Sequence, residues 1–233
     1  MNACVIVPAY DAAKSLRAVI LDLRDALPEV PEILVVDDGS RDDTARIARD
    51  LDVRVIVHER NRGKGGALKT GLAEAARLKF DVAMCVDADG QHPAASAREV
   101  LYGSTDPRAL VLGVRDLVRD GAPPKNRWSN GISNHWLSRF VGRKLHDTQC
   151  GLRRYPVTPT LGLRTRADGY AFEAEVLLRA AAAGLPIIET PIKVHYPPEN
   201  ERITHFDSVR DPARIIGVVL RTVFELRFAP GAP

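Results

Sequence analysis

Residues 3–38, ACVIVPAYDAAKSLRAVILDLRDALPEVPEILVVDD, hold a strand, a helix and a second strand in succession. Ala3 to Val7 is a continuous apolar run stopped by Pro8, the pattern of a strand buried on both faces. From Ser15 to Ala26 the period changes, with Leu16, Val19, Ile20, Leu23 and Leu27 at helical spacing. Ile33 to Val36 is apolar again and ends in Asp37 and Asp38. The alternation continues through a helix at Asp42 to Leu51, a strand at Val53 to Val57, a helix at Gly66 to Leu78 and a strand at Val82 to Val86. This predicts an α/β fold with a doubly wound, mostly parallel sheet flanked by helices, whose ligands bind beyond the carboxyl ends of the strands.

Beyond Gly103 the rhythm breaks. Leu110 to Val114 reads as a strand, Gly121 to Asn126 as a loop marked by Pro123 and Pro124, and Trp128 to Val141 as a helix. Tyr170 to Ala183 is another helix, Ile187 to Thr190 and Ile192 to His195 are short strands, and Pro212 to Phe228 is a terminal helix. No linker marks the change, so the expectation is one domain of two lobes, residues 1–105 and 106–233.

The 233 residues are 45% hydrophobic and 27% charged, which excludes a disordered or fibrous chain. The longest apolar runs are far shorter than the 18 or so residues that a membrane span needs, and no basic leader precedes the first strand. Three cysteines without metal-ligand spacing fit a reducing cytoplasm. Charge is unevenly spread: Arg108 to Arg166 holds twelve Lys or Arg against Asp116, Asp120 and Asp147, a local +9 beside −6 for the remainder. An anionic partner is expected there, and the absence of any nucleic-acid motif favours phosphate or a membrane surface over nucleic acid.

The sharpest chemical feature is Val86-Asp87-Ala88-Asp89-Gly90-Gln91-His92-Pro93. Carboxylates at i and i+2 of an extended segment share one face, so Asp87 and Asp89 can reach one hard cation, Mg²⁺ or Mn²⁺, with Gln91 as a neutral oxygen donor. An Asp- and Gly-rich turn is the structural alternative; the position directly after the fourth strand favours the metal. Asp37 and Asp38 end the second strand, where an acidic residue can accept from a ribose hydroxyl or a base N–H, while Ser40, Asp42 and Asp43 suit a helix cap. Pro8, Ala9, Tyr10 and Asp11 reach the same rim. Asn61 to Gly71 is a glycine-rich loop carrying Lys64, but Leu68 stands where both a Walker A loop and a dinucleotide fingerprint need a small residue.

Pro8 with Tyr10, Asp37-Asp38-Gly39-Ser40, Asn61-x-Gly63-x-Gly65, Asp87-x-Asp89-x-Gln91, Asp147-Thr148-Gln149-Cys150-Gly151-Leu152-Arg153 and Gly169-Tyr170-x-Phe172-x-x-Glu175 together resemble glycosyltransferase family 2. The likeness is to its branch of dolichyl-phosphate mannosyltransferases and polyprenyl-phosphate glycosyltransferases. The resemblance implies a GT-A fold and an inverting, metal-dependent transfer of sugar from a GDP- or UDP-linked donor to a lipid-linked acceptor such as polyprenyl phosphate. It places Pro8, Ala9, Tyr10, Asp11, Asp37, Asp38, Lys64, Asp87, Ala88 and Asp89 around the nucleotide sugar, and Asp87, Asp89 and Gln91 on the metal. Arg115 is implied on the phosphates and Asp147 beside the sugar, making Asp89, Arg115 and Asp147 the catalytic candidates. Arg127, Glu175 and Arg202 fall on the acceptor side, with a helix-surface carboxylate as the alternative for Glu175.

Three departures stand out. Ala12 replaces a glutamate that many relatives carry, leaving GDP or UDP open; Gly131 replaces a serine four residues after Arg127; and Glu201 to Phe206 replaces a basic closing loop. A phosphate acceptor needs no general base, whereas a hydroxyl acceptor does, for which Asp147 is the candidate. A nucleotidyltransferase would carry its glycine loop after the first strand, and a catalytically silent nucleotide-sugar binding module would not need Asp87, Asp89 and Gln91 intact. The Trp128 to Val141 helix and Arg214 to Phe224 mix apolar bulk with arginine, which allows peripheral contact with the inner face of a membrane, or burial against a second subunit. The sequence sets no oligomeric state.

Overall fold

The computed structural model describes residues 1–196 and 210–228. Strands β1 (Ala3–Ala9), β2 (Ile33–Asp37), β3 (Arg54–Val57) and β4 (Val82–Cys85) are parallel, connected by α1 (Leu16–Ala26), α2 (Thr44–Asp50) and α3 (Lys64–Arg77). There follow α4 (Ala94–Leu101), β5 (Leu110–Arg115), α5 (Pro124–Val141), β6 (Arg153–Pro156), α6 (Val157–Gly162), α7 (Ala171–Ala182), β7 (Ile187–Ile192) and α8 (Arg210–Phe228). The strands form one sheet in the order β3-β2-β1-β4-β6-β5-β7. Only β6 runs against its neighbours β4 and β5. The doubly wound, mostly parallel α/β sheet expected from the alternation is present.

Because side chains alternate across a strand, the unbroken apolar runs feed two cores. Val5, Val7, Val35 and Met84 face α1 and α4, whose Leu16, Ile20, Leu23, Val100 and Leu101 are buried against them. Ile6, Leu34, Val36 and Cys85 face α3 and α7, which contribute Leu68, Leu72, Phe172, Val176 and Leu177.

The elements after β4 depart from their sequence reading in several places. Helix α5 begins at Pro124 inside the expected loop, since proline at a helix's first position gives up only an N–H that has no partner there. The two short strands near residue 190 are one, and Pro191 is tolerated within it because β7 lies at the sheet edge. Helices α4 and α6 were not expected at all. Nor was β6, whose Arg153-Arg154 disguises a central strand, yet both arginines are fully buried.

Adjacent on a strand, those arginines serve opposite faces. Arg153 donates to the carbonyls of Cys150, Glu173 and Thr148 at 2.7–2.9 Å. Arg154 gathers the carbonyls of Leu101, Ser104, Asp106 and Ala109 at 2.5–3.3 Å, closing the turn between α4 and β5. Arg154→Met leaves four acceptors without their charged donor and is expected to cost at least about 3 kcal/mol. For a chain of this size that lowers Tm by roughly 6–12 °C. A melting temperature within about 2 °C of wild type would show that the cage does not matter.

Candidate active site

The sheet order brings the carboxyl ends of β1, β2, β4, β5 and β7 to one edge. Because β6 is antiparallel, its amino end and the preceding residues 147–152 cross that same edge. Asp87, Asp89 and Gln91 follow β4 there, Arg115 ends β5, and Asp147 arrives from the segment before β6. The loop after β4 is tied down on both sides: Ser15 Oγ donates to the Ala88 carbonyl at 2.6 Å and the His195 N–H to the Gln91 carbonyl at 2.8 Å.

Lys64, in the first turn of α3, projects from the glycine-rich loop into this edge. Its Nζ lies 2.6 Å from Asp87 Oδ1 and 3.1 Å from Glu173 Oε1 of α7. Burial opposes the charge on Lys64, but Asp87 and Glu173 together hold it well above the ordinary lysine range. Burial likewise opposes ionisation of Asp87, and Lys64 outweighs it, so that carboxyl is lowered. Gly151 closes over the pair: a Cβ there would fall against both Lys64 Nζ and Asp87 Oδ2. Asp89 stands at the mouth, exposed, with Oδ1 accepting the Gln91 N–H at 2.9 Å. Partial loss of water around the charge, then the like charge of Asp87, push its carboxyl up to about 6.

Among the described residues no three His, Cys, Asp or Glu side chains gather as a metal cage. Two neighbouring carboxylates nevertheless suit Mg²⁺ or Mn²⁺, which are commonly held by one or two carboxylates while substrate phosphates and water complete the shell. Asp87 and Asp89 therefore fit such an ion together with a diphosphate, while Gln91 is fixed here through its backbone.

Arg115 is clamped by Asp147. Nε and Nη2 donate to the two carboxylate oxygens at 2.6 and 2.9 Å, and the Arg115 N–H adds a third bond at 3.2 Å. The Gln149 N–H makes a fourth at 3.3 Å, so Asp147, fully buried, has both oxygens committed. Burial works against the charge of Arg115, and the bonds to Asp147 more than offset it. Arg115 Nη1 also reaches the Tyr196 hydroxyl at 3.5 Å. Burial, helped by the positive charge of Arg115, drops His92 to about 4, and its Nδ1 is buried without a hydrogen-bond partner among the described residues. A neutral imidazole thus lies among Asp87, Arg115, Lys64 and Asp147.

At the β1–β2 end, Pro8 and Ala9 close β1 and Tyr10 sits half-buried on the rim. Asp11 takes a left-handed backbone (φ 48°), accepts the Arg41 N–H at 2.8 Å and donates its own N–H to Ser40 Oγ at 2.9 Å. Asp37 is buried and accepts the Ser40 N–H at 3.0 Å. Asp38 turns inward: its Oδ1 bonds His58 Nδ1 at 2.7 Å and the Arg62 N–H at 2.9 Å, while His58 Nε2 meets Thr70 Oγ1 at 2.9 Å. Asp38 thereby anchors the glycine-rich loop.

Two glutamates of α7 have different fates. Two residues along a helix turn through about 200°, so Glu173 faces Lys64 while Glu175 points away. Glu175 is fully buried, not a surface carboxylate, and bonds Arg179 and the backbone of Arg166 and Ala167. Arg127 is exposed near the start of α5. Arg202 lies outside the described residues, as does the rest of Glu201 to Phe206. Sequence reasoning passed over Glu173, His92 and Tyr196. The first two lie inside segments it quoted, so only side-chain direction was missing.

Helix α5 has a mixed inner face: Leu137 is buried and Phe140 packs against the core, while Ser129 bonds Gln149, Ser133 bonds Thr148, Asn134 bonds Thr148 and the His146 carbonyl, and Ser138 accepts the Leu145 N–H. Its outer face exposes Trp128 (72%), Ile132 (41%) and Trp136 (54%) at intervals of four. Helix α8 likewise exposes Ile216, Leu220, Phe224 and Phe228. No helix among the described residues is long and apolar enough to cross a membrane.

The sequence profile of Glycosyl transferase family 2 matches residues 4–168. UDP-N-acetylglucosamine–dolichyl-phosphate N-acetylglucosaminyltransferase of Methanococcus voltae is 32% identical, over 82% of this chain and 85% of that protein. Undecaprenyl-phosphate mannosyltransferase of Micrococcus luteus is 30% identical, over 82% and 83%. Among solved structures, glucosyl-3-phosphoglycerate synthase from Mycobacterium tuberculosis, crystallised with Mn²⁺, UDP and phosphoglyceric acid, superposes with a TM-score of 0.74. It covers 99% of this chain and 80% of that one at 19% identity, a likeness of fold.

Proposed function

The chain belongs to glycosyl transferase family 2 and is a glycosyltransferase; from that premise we propose that it moves a sugar, with inversion, from a GDP- or UDP-linked donor to a polyprenyl phosphate. The observation that carries this reading is the convergence of Lys64, Asp87, Asp89 and the Arg115–Asp147 pair on one cleft. In this reading residues 1–105 hold the donor and 106–233 the acceptor.

Tyr10 and Asp37 line the nucleoside end, and Asp38 holds the glycine-rich loop beneath the diphosphate. A divalent cation, when bound by Asp87 and Asp89, neutralises charge gathering on the departing diphosphate. Lys64 supplies a fixed positive charge beside it, and Arg115, preorganised by Asp147, supplies another. Such charges act on the transition state because the leaving group becomes more negative as the sugar carbon gains oxocarbenium character. Asp147 keeps Arg115 oriented. With both oxygens committed to N–H donors it is poorly placed to remove a proton, which supports an acceptor that is already anionic. The names of the Methanococcus and Micrococcus relatives, which specify dolichyl and undecaprenyl phosphate, point the same way.

The deciding experiment presents GDP- and UDP-sugars with a short-chain polyprenyl phosphate and reads nucleoside diphosphate release together with product. Transfer to hydroxyl lipids but never to the phosphate would make Asp147 a base again and sink the preferred acceptor.

The outer faces of α5 and α8 suit peripheral contact with an anionic leaflet, where tryptophan sits at headgroup level and the exposed Lys125, Arg127, Arg139 and Lys144 meet lipid phosphate. Three free, buried cysteines accord with the cytoplasmic side. The protein is expected to sediment with anionic vesicles and to be released by salt, because exposed charges are screened over roughly 10 Å at 0.1 M. Trp128→Ser with Trp136→Ser should weaken binding by about tenfold or more, since one buried aromatic contributes roughly 1.5–3 kcal/mol. Equal recovery on neutral and anionic vesicles, or on neither, would refute the electrostatic part.

A further inference from the structure

Glu225 lies on α8, makes no contact with the cleft, and yet heads an unbroken run of polar contacts into it. Its Oε2 accepts from Arg179 Nη2 at 2.5 Å and its Oε1 from Arg166 Nη1 at 3.3 Å. Arg221, one turn earlier on α8, approaches Glu225 and Glu175 at 3.8 Å each. Arg179 Nε donates to Glu175 Oε1 at 2.9 Å, and the other oxygen of Glu175 accepts the backbone N–H of Arg166 at 3.0 Å and of Ala167 at 2.7 Å.

Those two amides open a segment that presses on the glycine-rich loop. Asp168 pairs with Lys69 of α3 at 2.5 Å, and the Gly169 carbonyl accepts the Gly65 N–H at 3.1 Å. Gly63, at φ 79°, packs so tightly that a Cβ would lie 2.8 Å from the Gly169 backbone. Lys64 stands between Gly63 and Gly65, and its ammonium is the group on Asp87.

We propose that Glu225 is a positioning residue for the donor site: through Arg179, Arg166 and Glu175 it holds residues 166–170 against the glycine-rich loop, and so sets where Lys64 meets Asp87. The inference rests on the donor reading of the cleft given above. Its physical basis is that Glu175, fully buried, is tolerable as a carboxylate only while its cationic and N–H partners stay in place. Polar networks of this kind have few satisfactory arrangements, so a disturbance at one end reaches the other. Removing Glu225 deprives Arg179 and Arg166 of a shared acceptor and leaves Arg179 drawn to Glu175, the other carboxylate it holds. The amides of Arg166 and Ala167 then lose a well-placed partner, and the Gly169 carbonyl moves with them.

The test uses the full chain with Glu225→Ala and Glu225→Gln. UDP and GDP binding in the presence of Mn²⁺ is measured by calorimetry, donor KM and kcat by turnover, and exchange of the Gly65 and Ala167 amides by hydrogen–deuterium exchange. Glu225→Ala should weaken nucleoside diphosphate binding and raise donor KM about five- to tenfold, within the span of coupling through such networks, with kcat within about twofold. Both amides should exchange faster, with Glu225→Gln intermediate because it keeps an acceptor without the charge. A lowered Tm with unchanged KM and unchanged exchange at Gly65 would reduce Glu225 to a stabilising surface pair and overturn the proposal. Should wild type bind neither UDP nor GDP, the donor reading itself fails. Exchange at Gly65 and Ala167 then decides the linkage alone: faster exchange sustains it, and unchanged exchange ends it.

Discussion

Asp89→Asn is expected to reduce turnover by about 10²–10³-fold or more, the loss typical when one preorganised electrostatic partner of a developing charge is removed. The fold should survive, because Asp89 is exposed within the loop after β4 and is not part of either core. The direction of its pKa shift makes a second, opposite readout available. A folded-state value raised to about 6 from an ordinary 3.8 means that the native chain binds this proton more tightly than the unfolded chain. Its contribution is therefore most favourable below about pH 4 and is lost as pH rises through about 6, so at pH 7 ionised Asp89 works against the fold. Asparagine removes that repulsion, and Asp89→Asn should melt at the same temperature as wild type or slightly above it while losing activity. Mn²⁺ binding to wild type, followed by electron paramagnetic resonance, should weaken below about pH 6, where a proton competes for the carboxylate. Turnover of Asp89→Asn within tenfold of wild type would remove the metal assignment.

Asp147→Ala is expected to damage both stability and catalysis, for one reason. It leaves the Arg115 guanidinium, largely enclosed, without the carboxylate that takes two of its N–H groups. Breaking a buried pair from one side costs about 3–5 kcal/mol, because the surviving charge is left desolvated and unpaired. Replacing both partners separates the two effects. Arg115→Met with Asp147→Leu removes both charges and should recover much of the lost stability, as apolar substitutes for a buried pair often do. Turnover should stay down by at least about 10²-fold, since the cation aimed at the leaving group is gone. Thermal melts and nucleoside diphosphate release on the two variants decide the matter. A double variant that is both stable and active would leave the pair with no part in the chemistry.

Much of this site is legible in the order of residues along the chain. The strands were readable because burial on both faces demands apolar runs, and their carboxyl ends followed from the alternation with helices. Asp87, Asp89 and Gln91 stood out because they directly follow the fourth strand; the extended alternation expected there is instead a turn at Ala88 and Asp89, with Gly90 at φ 73°. Asp37 and Asp38 were visible for the same positional reason, but not that Asp38 turns inward to His58 and the Arg62 amide.

The amino-acid sequence by itself determined the fold class, the edge of the sheet where chemistry occurs and the acidic residues delivered there, all of which depend on local period and on short-range order along the chain. Tertiary structure alone decided the partners. Arg115 and Asp147 are 32 residues apart and meet only because β6 inserts antiparallel between β4 and β5, bringing the segment before it to the edge where β5 ends. Lys64 reaches Asp87 because α3 starts two residues earlier than its apolar period suggests, and Gly151 leaves room for the contact. The choice between Glu173 and Glu175 rested on the roll of α7 against the sheet, which sequence spacing leaves free. Packing of that helix on α3 and α8 turns one glutamate toward the cleft and the other into the arginine network.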